Sequence, residues 1–133
     1  MTACITRLAT RTHLAVGFIL LAFDVATITD PTVMGHYGIV VDTPESRIAI
    51  RAIVGGGEIA MALVLLTGAR MGMTRRELNL VAATLLLGVG TVRIGSALFE
   101  GSALDATQPW REGMVEIAIG CVAAWAAWLS ARR

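Results

Sequence analysis

The sequence contains no lysine, and all eleven of its basic residues are arginines. Arginine keeps its charge when buried and pairs bidentately with carboxylates, so the cations available to this chain are the ones best suited to a low-dielectric interior. Cysteine is nearly absent. Cys4 and Cys121 have neither a disulfide nor a metal spacing, which excludes a disulfide scaffold, a zinc site and thiol chemistry. Aromatic residues make up 5% of the chain and charged residues 16%, against about 25% charged in soluble domains. The seven arginines at positions 7, 11, 70, 75, 76, 132 and 133 fall in three separate segments without interleaved aromatics, so no nucleic-acid surface is expected. The two histidines, His13 and His36, lie at opposite ends of the expected spans and cannot share a metal or haem. No metal and no cofactor are predicted.

What the chain does have is long apolar runs. Of its 133 residues 56% are hydrophobic. Four helices of about 20 residues cross a bilayer core, and they use most of the chain, leaving no room for a second domain. The predicted fold is an all-α integral membrane four-helix bundle forming a single domain over residues 1–133. Its spans fall at about 14–29, 47–69, 78–99 and 110–129. Asp30-Pro31 ends the first, because proline cannot continue a helix and restricts the residue before it. Asp42-Thr43-Pro44-Glu45 reads as a turn or helix start. Arg70, Arg75, Arg76 and Glu77 are assigned to the second connection, and Glu100-Gly101 closes the third span. The third loop runs on to Pro109. Trp110 at one end of the last span, with Trp125 and Trp128 at the other, suits the two headgroup belts.

The cytoplasmic side follows from the arginines. The tail, the second connection and the C-terminus hold those seven, whereas the first and third loops hold Arg47 and Arg111 among acidic residues. The positive-inside rule then puts both termini in the cytoplasm of a multi-pass inner (plasma) membrane protein. Glu58-Ile-Ala recurs as Glu116-Ile-Ala, each a few residues after an arginine. That echo fits two repeated helical hairpins.

Ionisable residues inside spans are costly and normally face a bundle interior. Five stand here: Asp24, Arg51, Glu58, Arg93 and Glu116. At about 1.5 Å per residue, four lie roughly 6–10 Å from the outer helix ends and Glu58 about 16 Å in. A shared depth predicts one polar cluster under the outer face, with Glu58 as its floor. Arg51, Gly55 and Glu58 at i, i+4 and i+7 mark the inward stripe. Two arginines cannot neutralise three carboxylates, which leaves Glu58 as the candidate to stay neutral. Glu58, Glu116 and Asp24 are therefore the candidate catalytic groups, and Arg51, Arg93 and Gly55 the candidate ligand-binding ones. Gly56, Gly57, Gly113 and Gly120 nearby offer room for a ligand or for a neighbouring helix. The expected partner, besides the lipid bilayer, is a small apolar or amphiphilic molecule. Its chemistry would be acid–base work of the isomerase, cyclase or epoxide-opening kind. The alternative is a non-catalytic membrane subunit, either a homo-oligomer or docked to a larger redox or transport partner, whose charges only fix packing.

A proline closing span one, then Asp42-Thr43-Pro44, Arg47, Arg51-Ala-Ile-Val-Gly55-Gly56, Gly90-x-x-Arg93-Ile, Glu100-Gly101 and a last span bearing Glu116 form a recognisable pattern. It resembles a bacterial family of small four-helix membrane proteins classed as a domain of unknown function, number four thousand three hundred and forty-five. The stretch from Gly57-Glu58-Ile-Ala to Gly68 also resembles, loosely, the second span of the DoxX-like group. The resemblance implies a four-helix bundle. For the DoxX-like group it implies small membrane subunits associated with quinone-linked or thiol redox systems. The first family supplies no activity.

Overall fold

The computed structural model describes residues 11–99 and 107–131. The expectations for Cys4, Arg7, Glu100-Gly101, the following loop as far as residue 106, and Arg132 and Arg133 lie outside the described residues. The described chain is all-α. Helix α1 spans Thr12–Thr29, α2 Pro44–Met71, α3 Arg75–Phe99 and α4 Thr107–Ala131. All four are long and apolar enough to cross a membrane. Their outer surfaces agree: Phe18, Ile19, Ile53, Val92 and Phe99 are all more than half exposed. Such a surface belongs in lipid.

The helices start earlier than the apolar runs because polar caps extend them. Thr43 accepts from the Ser46 amide at 3.1 Å, while the Ser46 hydroxyl accepts from the Thr43 amide at 3.2 Å. With Pro44 in the first turn, this capping box begins α2 three residues ahead of Arg47. Thr74 and Glu77 form a second box, in which the Glu77 carboxylate accepts from the Thr74 amide at 2.7 Å and the Glu77 amide donates to the Thr74 hydroxyl at 3.2 Å. Arg75, Arg76 and Glu77 are thus the first turn of α3, not connection. The first loop is also more ordered than a plain loop. Asp30 caps a 3-10 helix over Pro31–Tyr37, Gly38 closes it at φ 74°, and Pro31 and Met34 are buried. Tyr37 packs edge-on against Phe23, ring centroids 6.2 Å apart.

The chain divides into two compact units, one of Leu14–Met71 and one of Gly72–Arg133 with the residues up to His13. Each is a helical hairpin. In the first, α1 and α2 run antiparallel, with Gly17 against Leu65 and Leu66 and, further along, Ile28 against Gly55. In the second, α3 and α4 pack along a seam of glycines. A Cβ on Gly90 would stand 2.8 Å from the Gly113 carbonyl oxygen, and one on Gly120 2.8 Å from Leu87 Cγ. Close backbone approach of this kind is what small residues give membrane helices, which have little hydrophobic drive to associate within lipid. His13 joins this second unit: its amide donates to Asn79 Oδ1 at 3.0 Å, and its ring Nδ1 lies 3.2 Å from the same oxygen. Both side chains are buried. His13 is thus part of a buried tie that satisfies an orphan amide in the first turn of α1.

Candidate functional site

Helix α2 is not regular. Between α-helical Pro44–Ile50 and Gly57–Thr67 lies a π-helical stretch, Arg51–Gly56. A π turn inserts extra chain into an α-helix, is rare, and is often found at functional sites. The glycines at 55, 56 and 57 make it sterically cheap, since wider turns crowd β-carbons least when there are none. The simple i, i+4, i+7 stripe is therefore broken in register. Even so, Arg51, Gly55 and Glu58 all still reach α1.

Each does so differently. Arg51 Nε donates to the Ile28 carbonyl at 2.8 Å, in the last turn of α1, where carbonyls lack an intrahelical partner and a cation is favoured. Arg51 is itself exposed. The expectation that it neutralises a buried carboxylate is corrected here, because a helix end is in reach and claims it first. Gly55 is buried and a Cβ there would lie 2.5 Å from Ile28 Cγ1. Its missing side chain makes room for a neighbouring helix and not for a ligand.

Asp24 is completely buried. Neither of its oxygens has a hydrogen-bond partner, and the half-buried Glu58 carboxyl acts on it directly, without hydrogen-bond geometry. Two acids thus stand side by side, while Arg51 of the same hairpin bonds the Ile28 carbonyl. Glu58 is not the floor beneath Asp24 but its neighbour. Depth counted from the end of each helix misplaces it, since α2 begins at Pro44, further out than the end of α1.

The second hairpin holds the other charges. Arg93 forks onto Glu116, Nε to Oε2 at 3.1 Å and Nη2 to Oε1 at 2.8 Å, the bidentate geometry of a strong charge-assisted pair. Its Nη1 also lies 3.1 Å from Glu112 Oε2. Arg93, Glu112 and Glu116 are each partly exposed, at 20–28% for the side chains. Glu112 is a member that depth alone does not single out. Its signal is the i, i+4 spacing to Glu116, which puts both acids on one face of α4. The group sits over the glycine seam: a Cβ on Gly113 would meet Ile94 Cγ1 at 2.7 Å. Gly113 and Gly120, like Gly55, are filled by neighbouring chain. Gly57, beside Glu58, has nothing within 4 Å of a built Cβ.

The five expected residues thus fall into two groups, Asp24, Arg51 and Glu58 in one hairpin and Arg93 and Glu116 in the other. Along α3, Thr84, Leu85, Gly88, Val89, Val92 and Arg93 line an open trough of about 570 Å³ on one helix face. It is nearly all apolar. Among the described residues no three His, Cys, Asp or Glu side chains come together as a metal site. Outside the spans, Asp30 is held below the usual carboxylate range by the Thr32 hydroxyl and amide. The whole defines a multi-pass membrane protein with a carboxyl pair in one hairpin and an arginine–glutamate clasp in the other. Comparison with family models, with curated proteins and with solved structures gave no match.

Proposed function

We propose that this protein binds a small, largely apolar or amphiphilic molecule from the lipid and that the Asp24–Glu58 pair is its acid–base element. The observation that carries this reading is the burial of Asp24, with both oxygens unpartnered, beside Glu58. An unsolvated carboxyl without a donor costs several kcal/mol at bilayer depth, of order the values for any isolated polar group there. Such an expense is typical of a working site. Glu58 is the member that meets the substrate, since it is half-buried and flanked by the open side of Gly57. The reaction class is cofactor-free isomerisation, cyclisation or epoxide opening, in which a neutral carboxyl protonates and an ionised one steadies the developing cation. Glu116 is less suited to that role, because both its oxygens are engaged by Arg93. The protein lies in the inner membrane with both termini cytoplasmic, and belongs with the small four-helix family it resembles.

The test is native mass spectrometry of protein extracted from membranes, looking for a retained small molecule, together with Glu58→Gln and Glu116→Gln. Loss of the molecule, or of its turnover, in Glu58→Gln with the fold intact supports the proposal. Unchanged binding and turnover in both variants removes it.

A second reading, a non-catalytic membrane subunit, is favoured by one observation: Gly55, Gly113 and Gly120 are all occupied by packed side chains. On that reading the same substitutions lower thermal stability in detergent, and a larger protein co-purifies in fixed ratio.

A further inference from the structure

We infer that the first loop re-enters the bilayer. Residues 31–41 fold back from the end of α1 into the leaflet on that side, so that their exposed apolar side chains face lipid and their backbone closes on itself. The inference does not rest on the acid–base reading.

Two contacts set the register of the first hairpin. Gly17 meets Leu65 and Leu66, and Ile28 meets Gly55, so Thr12 stands level with Met71 and Thr29 with Val54. The two helices end together on one side, where Arg11 and Arg70 are exposed. On the other side α2 continues outward from Val54 to Pro44, a rise of roughly 15 Å beyond the end of α1. Helix α1 has 18 residues, roughly 27 Å at its rise per residue, against about 30 Å for the hydrocarbon core. Its end at Thr29 therefore reaches the boundary of the core without passing it, and a chain that turns back from there enters acyl chains. The loop does turn back. Tyr37 packs edge-on against Phe23, ring centroids 6.2 Å apart, and Phe23 precedes Thr29 by a rise of roughly 9 Å. Side chains on a helix lean toward its N-terminus, which sets the Phe23 ring deeper still.

The chemistry of the segment suits that depth. Non-helical backbone is tolerated there only where its polar groups are satisfied. Asp30 Oδ1 accepts from the Thr32 amide at 3.0 Å and the Asp30 carbonyl from the Val33 amide at 3.2 Å. At the far end the Gly38 and Ile39 amides donate back to the Gly35 and Met34 carbonyls at 3.0 and 3.3 Å. Pro31 has no amide to satisfy. Residues 31–41 include no Asp, Glu, Lys or Arg. Pro31, Met34 and Val41 are buried, whereas Val40 is 73% exposed and Ile39 38%, which gives the segment a protein side and a lipid side. Val40 thereby continues the lipid-facing surface that Phe18 and Ile53 present on the spans. The His36 and Tyr37 rings meet edge-on at 5.5 Å, and both have the apolar body and polar tip that settle between acyl chains and headgroups. Charge returns at Asp42 and Glu45, where α2 begins. The occupant of this surface is therefore the acyl-chain and glycerol layer of the bilayer.

Tyr37 is the one tyrosine in the chain, so its ring can be followed in the wild-type protein. The experiment is NMR of the full-length protein in lipid nanodiscs with carbon-13 in the tyrosine ring. It compares relaxation by lipids carrying a nitroxide high on the acyl chain with relaxation by a water-soluble gadolinium chelate. The nitroxide should relax the ring several-fold more than the chelate does. Equal relaxation by the two, or more by the chelate, overturns the inference and puts the loop in water. Protection from both probes puts the ring against protein and overturns it equally. Phe23→Ala removes the ring on which Tyr37 docks and should shift the ratio several-fold toward the chelate, whereas an unchanged ratio overturns the fold back along α1. The wild-type comparison decides the depth even if Phe23→Ala fails to fold.

Discussion

Arg51 Nε bonds the carbonyl of Ile28 at 2.8 Å, so this cation of α2 is committed to the end of α1. Asp24, one turn back along α1 from Ile28, has neither oxygen hydrogen-bonded. A charge-assisted bond to an orphan helix carbonyl contributes about 1–2 kcal/mol where it is partly exposed. Arg51→Ala should lower stability by about that amount, read as a lower midpoint for thermal unfolding in detergent. Arg51→Lys should recover only part of it, because the Nε donor and the planar fork are lost. An alanine variant as stable as wild type would remove this role.

The clasp on Arg93 should be graded. Glu116 accepts two aligned bonds from Arg93, whereas the Arg93–Glu112 ion pair at 3.1 Å lacks hydrogen-bond alignment. Glu116→Gln should therefore cost more than Glu112→Gln, about 2 kcal/mol against about 0.5, both groups being partly exposed. Arg93→Leu should cost the most, because it leaves two acids facing each other on α4 without their cation. Denaturant titrations of the three variants, with the double variant Glu112→Gln/Glu116→Gln, measure the order directly.

Glycine substitutions separate packing from room. Gly90→Ala sets a methyl 2.8 Å from a backbone oxygen that cannot move aside, and overpacking of this kind costs about 1–3 kcal/mol. Gly88 and Gly95, on the same helix, have nothing within 4 Å, and alanine there should be neutral or stabilising by up to about 1 kcal/mol. The comparison within one helix cancels any general effect of losing glycine. Equal effects at all three positions would refute the seam.

Much of this was readable from residue types and positions, and the parts that were not share a cause. The spans are apolar runs, and Arg93 and Glu116 share a depth, but depth and charge alone put them in one cluster with Asp24, Arg51 and Glu58 and do not pick out their pairing. The second capping box was also present, as Thr74-x-x-Glu77, but Arg75 and Arg76 beside it read as a basic connection. Glu112 sits at the rim of its span, where an acid needs no partner, so the sequence reading passes over it, and its spacing to Glu116 is the one signal that could single it out. The π-helical stretch leaves no mark on hydrophobic periodicity, because Arg51–Gly56 is followed by further glycine and packs through backbone. Arg51's choice of a carbonyl over a carboxylate depends on where the end of α1 falls against α2, which is a tertiary fact.

Asp30 gives the first loop an acid limit. Bonds from the Thr32 hydroxyl and amide hold its carboxylate below the ordinary value, so the unfolded chain binds its proton at a higher pH than the folded one. The contribution is complete above the ordinary aspartate range and is lost as pH falls through the lower folded value. Thr32→Val should return Asp30 toward the ordinary value, as followed by carbon-13 NMR of its carboxyl, and should weaken the start of the Pro31–Tyr37 helix. No change in the Asp30 titration would show that the Thr32 hydroxyl does not hold it.

Gly56 tests what the π-helical stretch does. Arg51–Gly56 carries extra chain relative to an α-helix, so deleting Gly56 should restore regular winding with the outer part of α2 kept nearly in phase with Glu58, the wider turns having already absorbed the extra residue. Arg51 then keeps its bond to Ile28 and Glu58 its place by Asp24. The deletion should cost well under Arg51→Ala in the thermal midpoint, and the two should add, as independent changes do. Gly57→Ala, in open space, is the control and should change little. A deletion that costs as much as Arg51→Ala and does not add to it would mean that the wider winding serves to deliver Arg51 to the end of α1.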